Sequence, residues 1–490
     1  MHRSPNAFPR FTPTQQRLFS TMAKTDSSFG VIDASPTKDF FVSMLTRDIS
    51  LDDAVLDLLD NCVDGILRND LKKDDDTPYK GRYAHVVVEN GYFSIADNCG
   101  GIPWSLKDYA FRMGRTVDAP NTNLPTVGVY GIGMKRAIFK IGRACVIQTW
   151  NGADAYDVEF DEDWLKNENS WSLEAHASKT KPKERGTTII IEKLNEVVEK
   201  EFSERRDDFV NRLIKAIKSH YSAIIEKGFV IRVNTTDVQP LPVKLAFDQG
   251  LSKKAIRPYI YETRFDGVKV FLAIGFTRPI SNKNEQEEET ANPKYDASRT
   301  GWTVICNDRV ILYCDKEEQT GWGIGRVPKY HPQFNAISGV VIFESNDARK
   351  LPTVTTKRGL NMNSILYLHV RERMSEGLKI FTDFTNKWKD DVDEAKSEIK
   401  KAKLISIPEI RAAAAKLDYS TSRQVIGGRY SRPDLPVPPR PTAITRRIVF
   451  SKPIDDIRLV AEFLFDDPEI DASDVGEKCF DNAAREAKRK

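Results

Sequence analysis

Leu51, Ala54, Val55, Leu58, Leu59, Cys62, Val63, Ile66 and Leu67 recur at helical spacing, so this stretch must form a long helix with one broad apolar face. Such a helix needs a core to lie on. Ser50 followed by Asp53 fits a capping box, and the helix is expected to begin near Leu51. Asp57, Asn61 and Asp64, spaced i, i+4 and i+7, stack as a polar stripe on another face. An acid and a neutral amide so placed could share a metal ion, a water and a phosphate; a solvated helix face is the blander reading.

Two later segments add chemistry. The runs Val86–Asn90 and Gly91–Asn98 read as short strands around an Asn90-Gly91 turn, which leaves Asp97 at a strand end before Gly100 and Gly101. A carboxylate there can accept a hydrogen bond from an exocyclic amine, and the two glycines let backbone approach a flat base. Gly128, Gly131 and Gly133 then precede a helix start at Met134, Lys135 and Arg136, so backbone amides could face phosphate oxygens while Lys135 supplies a mobile positive charge. A glycine-rich turn alone is more often only a turn.

Taken in order, these segments resemble the N, G1 and G2 boxes of the GHKL ATPases, the group of gyrase B, heat-shock chaperones, MutL, MORC proteins and sensor histidine kinases. Arg185-Gly186-Thr187-Thr188 before Ile189, Ile190 and Ile191 looks like that group's late Gly-Thr and buried strand. The resemblance spans about Phe40 to Leu194 and is specific as a set. It implies ATP and Mg2+ as ligands, with Asn61 on the magnesium, Asp97 on the adenine amine and Thr187 supporting it. Gly101 would allow close base approach, and Gly128, Gly131 and Gly133 would form the hinge and phosphate-binding part of an ATP lid, with Lys135 near the phosphates. That lid would run from Trp104 to Tyr130, with Arg112, Arg115 and Asn123 unassigned.

Two positions depart from the pattern. Most of these ATPases have a glutamate as general base four residues before the magnesium asparagine, and here that position holds Asp57, one methylene shorter. Cys99 stands where the group has its first glycine, and reads as a small apolar substitute.

The 490 residues, 40% hydrophobic and 30% charged, suffice for two or three domains, and the resemblance sets the expected fold class as α+β. The expected order is a leader over 1–29, a GHKL (Bergerat) α/β sandwich over 30–228, and an α+β transducer-like domain over 229–387. A helical stalk over 388–410, a basic Pro-containing linker over 411–452 and a small helical element over 453–490 follow. Strands are expected at Phe229 to Val233, Val268 to Phe276, Trp302 to Tyr313 and Gly339 to Glu344, and a charged loop at Asn284 to Thr290. Leu351 to Leu360 resembles the transducer loop that carries a lysine to the γ-phosphate, and Lys357 is its match; an exposed basic loop is the alternative.

No apolar run approaches the roughly 20 residues that span a bilayer. Six cysteines without CxxC pairs indicate neither a zinc site nor a disulfide framework, and a cytoplasmic protein is expected. A formal charge of +3 does not by itself imply nucleic acid. None of the six histidines has the setting of a phosphoacceptor, which argues against a sensor kinase.

The leading expectation is an ATP-driven conformational switch, dimerising on ATP, with Asp57 and Lys357 catalytic. It would act as a clamp or remodeller on DNA or on a partner protein in genome maintenance, silencing or phage defence. The alternative is a nucleotide-gated interaction module with little or no hydrolysis.

Overall fold

The structure is a computed structural model that describes residues 37–69, 76–112, 114, 131–167, 170–179, 184–250, 252, 254–291, 299–354, 357, 359–422, 426–439, 448 and 450–489. The expected leader, Gly128, Arg115 and Asn123 lie outside the described residues. The chain divides into two compact units, Met1–Val437 and Pro438–Lys490. The architecture is α+β, with mixed sheets and a helical C-terminal region.

The first part of the larger unit contains helices α1 (Lys38–Arg47) and α2 (Leu51–Asn69), then strands β1 (Tyr83–Glu89) and β2 (Tyr92–Asp97). A short α3 (Lys107–Phe111), α4 (Gly133–Ile141), β3 (Gly142–Trp150), β4 (Ala155–Phe160), α5 (Glu162–Lys166), β5 (Ala175–Ala177) and β6 (Gly186–Leu194) follow. Helices α6 (Glu196–Glu204), α7 (Arg206–His220) and α8 (Ser222–Glu226) lead to β7 (Val230–Val233) and β8 (Thr236–Asp237). The eight strands form one sheet in the order β5-β4-β3-β6-β2-β1-β7-β8, antiparallel except where β1 meets β7. Strands β1 and β3 alternate buried and more exposed residues, as in a sheet covered on one face.

Helix α2 begins where the capping pattern places it: the Asp53 amide donates to Ser50 Oγ at 3.1 Å, and that hydroxyl donates to the Asp53 carboxylate at 2.7 Å. Its apolar face is buried, with Val55, Leu59, Val63 and Ile66 fully inside. Truncating Leu59 or Ile66 to alanine is expected to cost about 2–5 kcal/mol.

A second, seven-stranded sheet begins after β9 (Lys244–Phe247) with β10 (Tyr259–Phe265) and β11 (Val268–Phe276). Helix α9 (Lys283–Ala291), β12 (Gly301–Cys306), β13 (Arg309–Asp315), β14 (Ile337–Glu344) and the long α10 (Ile365–Lys387) come next. The unit closes with α11 (Val392–Lys400), β15 (Lys403–Ser406), α12 (Ile407–Ala414), β16 (Ser420–Ser422) and β17 (Gly428–Ser431). The order is β13-β12-β14-β11-β10-β17-β16, and β15 pairs separately with β9. Helix α10 covers one face and the β9, β15 and α12 layer the other. That double cover explains the unbroken apolar run of β11, buried at every position but Lys269.

Several boundaries differ from the sequence reading. The first sheet continues past Gly228, because β7 pairs with β1. The expected stalk is no stalk: Ala395 and Ile399 are buried in the second core and Lys403–Ser406 pairs with β9. The expected linker supplies β16 and β17 to the sheet edge, and the Trp388 indole donates to the Pro436 carbonyl at 3.2 Å. The expected loop at Asn284 to Thr290 is α9, capped by reciprocal bonds between Asn282 and Glu285 and clasped by Arg278 on Glu289. The run Trp302 to Tyr313 is a hairpin rather than one strand, turned at Asn307 and Asp308, both at positive φ (46° and 67°).

In the smaller unit, α13 (Ile454–Phe465) and α14 (Ala472–Arg489) form a helical pair in which only Ala461 and Val475 are buried.

Candidate functional site

One cleft is bordered by α2, the end of β2, the start of α4, the start of β6 and the loop after β14. Asp57, Asn61, Asp97, Gly101, Gly131, Gly133, Lys135, Thr187 and Lys357 all line it. Residues 300 positions apart in the chain, Asp57 and Lys357, therefore meet at one place. Its free volume of about 110 Å³ lies below the roughly 300 Å³ at which ordinary ligand pockets begin.

At one end, Asp97 Oδ1 accepts from the backbone amides of Cys99 (2.7 Å) and Thr187 (3.4 Å). Burial pushes this carboxyl up to about 6, against the pull of those amides. The Thr187 hydroxyl lies 3.2 Å from that of Thr149, which also accepts from the Ile102 amide at 2.8 Å. Gly186 lets β6 close on β2, since a Cβ there would sit 1.8 Å from the Asp97 carbonyl oxygen.

Gly101 is constrained from behind as well. It borders the cleft at φ +70°, but a Cβ would strike the Trp150 carbonyl oxygen at 2.3 Å. The strand wall by itself already requires glycine there. Cys62 and Cys99 are buried, and burial together with the neighbouring Asp97 carboxylate pushes both thiols well above their ordinary range. They stay protonated, which fits Cys99 as a small apolar substitute and not as a nucleophile.

At the other end, Gly131 adopts φ +71° and Gly133 opens α4 against Asp57, whose Cγ lies 3.4 Å from where a Cβ would be. Lys135 is not the mobile cation expected. It is 2% exposed, and its ammonium donates to the carbonyls of Ala110, at 2.8 Å, and of Gly131. The aliphatic stem of a lysine on the inner face of α4 is buried with that face, and the carbonyls satisfy its charge. Asn61, half-buried, keeps its Nδ2 out of solvent with no hydrogen-bond partner.

Between these ends lies a buried charge cluster. Asp57 Oδ2 accepts from Arg136 Nε at 3.0 Å and Nη2 at 2.5 Å, and Asp57 Oδ1 is 3.8 Å from Lys357 Nζ. One helical turn on, Asp60 accepts from Lys357 (2.6 Å), from Arg309 Nε (2.9 Å) and from the Tyr221 hydroxyl (2.5 Å). Burial raises the Asp57 carboxyl and outweighs the pull of Lys357 and Arg136. At Asp60 burial works the same way, yet Lys357 and Arg309 together hold the carboxyl low. Burial would also deprotonate Lys357, but the Asp60 and Asp57 carboxylates keep it charged. Lys357 sits at φ +56°, unusual for a side chain this long, at the tip of a loop closed by Val354 and Gly359.

Asp60, Arg136, Tyr221 and Arg309 were not singled out from the sequence. Asp60 hides among the apolar positions of α2, and Tyr221 counts toward the apolar pattern after α7. Arg309 did carry a signal: it follows the Asn307-Asp308 pair, a hairpin turn.

No family model matches this chain, and no curated protein matches it. Among the described residues, no helix is long and apolar enough to cross a membrane.

Proposed function

We propose that the chain is a GHKL-type ATPase, a conformational switch that binds Mg-ATP in this cleft and hydrolyses it. The observation that carries this reading is the convergence of Asp57, Asn61, Asp97, Thr187 and Lys357 on one cleft from four separated segments. The residues fit the ligands. Asp97 presents a carboxylate to an exocyclic amine, and the orphaned Asn61 amide has no partner among the described residues. Turned over, that amide offers an oxygen, the hard donor that magnesium prefers, with phosphate and water completing the shell. When bound, magnesium would offset the charge on the phosphates.

The remaining roles belong to the chain. Asp57 orients or deprotonates the attacking water, and Lys357 brings a cation from the second sheet to the phosphate end. The strained loop of Lys357 couples the occupied cleft to that sheet. The same reading extends to an ATP-dependent dimer acting on DNA or a protein complex, by analogy of fold family alone.

A second reading, a nucleotide-gated module with little turnover, is favoured by one observation: both oxygens of Asp57 face cations. Phosphate release from Mg-ATP by the parent chain, Asp57→Ala, Asp57→Glu and Lys357→Ala separates the two. The ATPase reading expects turnover in the parent, lost in Asp57→Ala and retained in Asp57→Glu. Equal, negligible turnover in all, with ATP still bound, would select the gate.

A further inference from the structure

We propose that Arg136 and Asp57 form a self-blocking ion pair, opened when the γ-phosphate of a bound nucleoside triphosphate takes over the guanidinium. This makes Arg136 a positioning residue, and the inference rests on the reading of the cleft as a triphosphate site.

The geometry argues it from both partners. Arg136 places Nε and Nη2 on the same oxygen, Asp57 Oδ2, and Lys357 stands 3.8 Å from the other. Oδ2 is thereby occupied, which leaves Oδ1, 3.8 Å from the Lys357 ammonium, as the oxygen through which Asp57 meets water. Asp60, by contrast, has its own three donors in Lys357, Arg309 and Tyr221 and makes no demand on Arg136. Arg136 is thus committed to Asp57 alone among the carboxylates of the cluster.

The cleft wall then limits what can yield. Lys135 is tied to two backbone carbonyls, Lys357 has a short bond to Asp60, and Asn61 is fixed on α2. The free volume of about 110 Å³ is too small for a nucleoside triphosphate, given that ligand pockets start at roughly 300 Å³. Side chains that line the cleft must therefore move to admit one. Among the described cations of the charge cluster that line the cleft, Arg136 is the one paired with a single carboxylate. A phosphate oxygen reproduces the two charge-assisted bonds that Asp57 Oδ2 provides, so the exchange conserves them and releases the carboxylate. A diphosphate lacks the group that would compete, and leaves the pair closed.

The test is calorimetric titration of the full chain with Mg–AMP-PNP and with Mg–ADP. It uses the parent, Arg136→Gln, Asp57→Asn and the double variant. The parent is expected to prefer AMP-PNP by about tenfold or more, the range of a charge-assisted bond. Arg136→Gln is expected to bring that ratio to near unity through AMP-PNP alone. Asp57→Asn removes the competitor, so it should tighten AMP-PNP in the parent background and leave it unchanged when combined with Arg136→Gln.

Equal weakening of both nucleotides by Arg136→Gln overturns the inference, as does an Asp57→Asn effect of the same size in both backgrounds. Failure of the parent to bind either nucleotide overturns the reading of the cleft itself, and the parent titration alone reveals it. Should Arg136→Gln fail to fold because Asp57 is left buried, the double variant, which removes both charges at similar shape, decides. A preserved AMP-PNP preference in it overturns the inference, and a lost one supports it.

Discussion

Asp97 is held by two backbone amides and surrounded by protein, and its carboxyl titrates at about 6 instead of 3.8. The folded state therefore keeps a proton that the unfolded chain has already lost. Its contribution to stability is complete below about pH 3.8 and is lost as pH rises through about 6. Above that range the ionised group costs on the order of 1–3 kcal/mol, toward the lower end because the carboxylate opens on the cleft. Asp97→Asn is expected to melt no lower than the parent at pH 8 and to flatten the fall in stability between pH 4 and 6. Urea titrations at several pH values check this, and a clear loss of stability at pH 8 would refute it. The same carboxylate must be ionised to accept from an amine, so binding of an ATP analogue by the parent is expected to weaken as pH drops below about 6.

At the scale of elements, α2 and the β1–β2 hairpin were legible because their patterns are local: a helical apolar period, a capping serine and an Asn-Gly turn. The cleft residues on them, Asp57, Asn61 and Asp97, were legible for the same reason. What escaped was set by partners far away in the chain. Lys135 looks like an exposed cation in a glycine-rich turn, and only the packing of α4 shows it drawn inward to Ala110 and Gly131. The β16–β17 strands look like linker because their partner, β10, lies more than 150 residues earlier. The Lys135 contact joins the end of α3 to the start of α4 through one ammonium. Lys135→Met keeps the apolar stem and leaves two carbonyls unsatisfied, each worth about 1–3 kcal/mol. Hydrogen exchange at Lys107–Phe111 is expected to speed up by about tenfold or more while exchange in β1 stays unchanged. Unchanged exchange in α3 would show that the contact pins nothing.

Across the larger unit, the two sheets are joined at the turn between β12 and β13. Asp308 accepts from Tyr79 (2.9 Å) and Lys227 (2.5 Å). Arg309 bonds Asp60 and, at 2.9 Å, the His220 carbonyl, and its guanidinium lies 4.3 Å from the centre of the Tyr221 ring. Asp60 is thus the carboxylate on α2 that both Arg309 and Lys357 reach from the second sheet. Any change in the cleft that pulls on Lys357 also changes the charge balance around Arg309. A buried arrangement of this kind is weak evidence for stability, because desolvation offsets most of its attraction, but losing one partner is costly. Arg309→Met is therefore expected to cost about 3–5 kcal/mol, measured by urea unfolding. Asp60→Asn combined with Arg309→Met should recover none of that loss, since Asp60 keeps Lys357 and Tyr221 in the single variant and Lys357 loses its nearest partner in the double. If the junction transmits between the sheets, Arg309→Met should also split the calorimetric unfolding of the larger unit into two transitions where the parent shows one. A single transition at the parent temperature would mean that apolar packing between α7, α8 and β13 holds the sheets together without the charges, and that Asp60 serves the cleft alone.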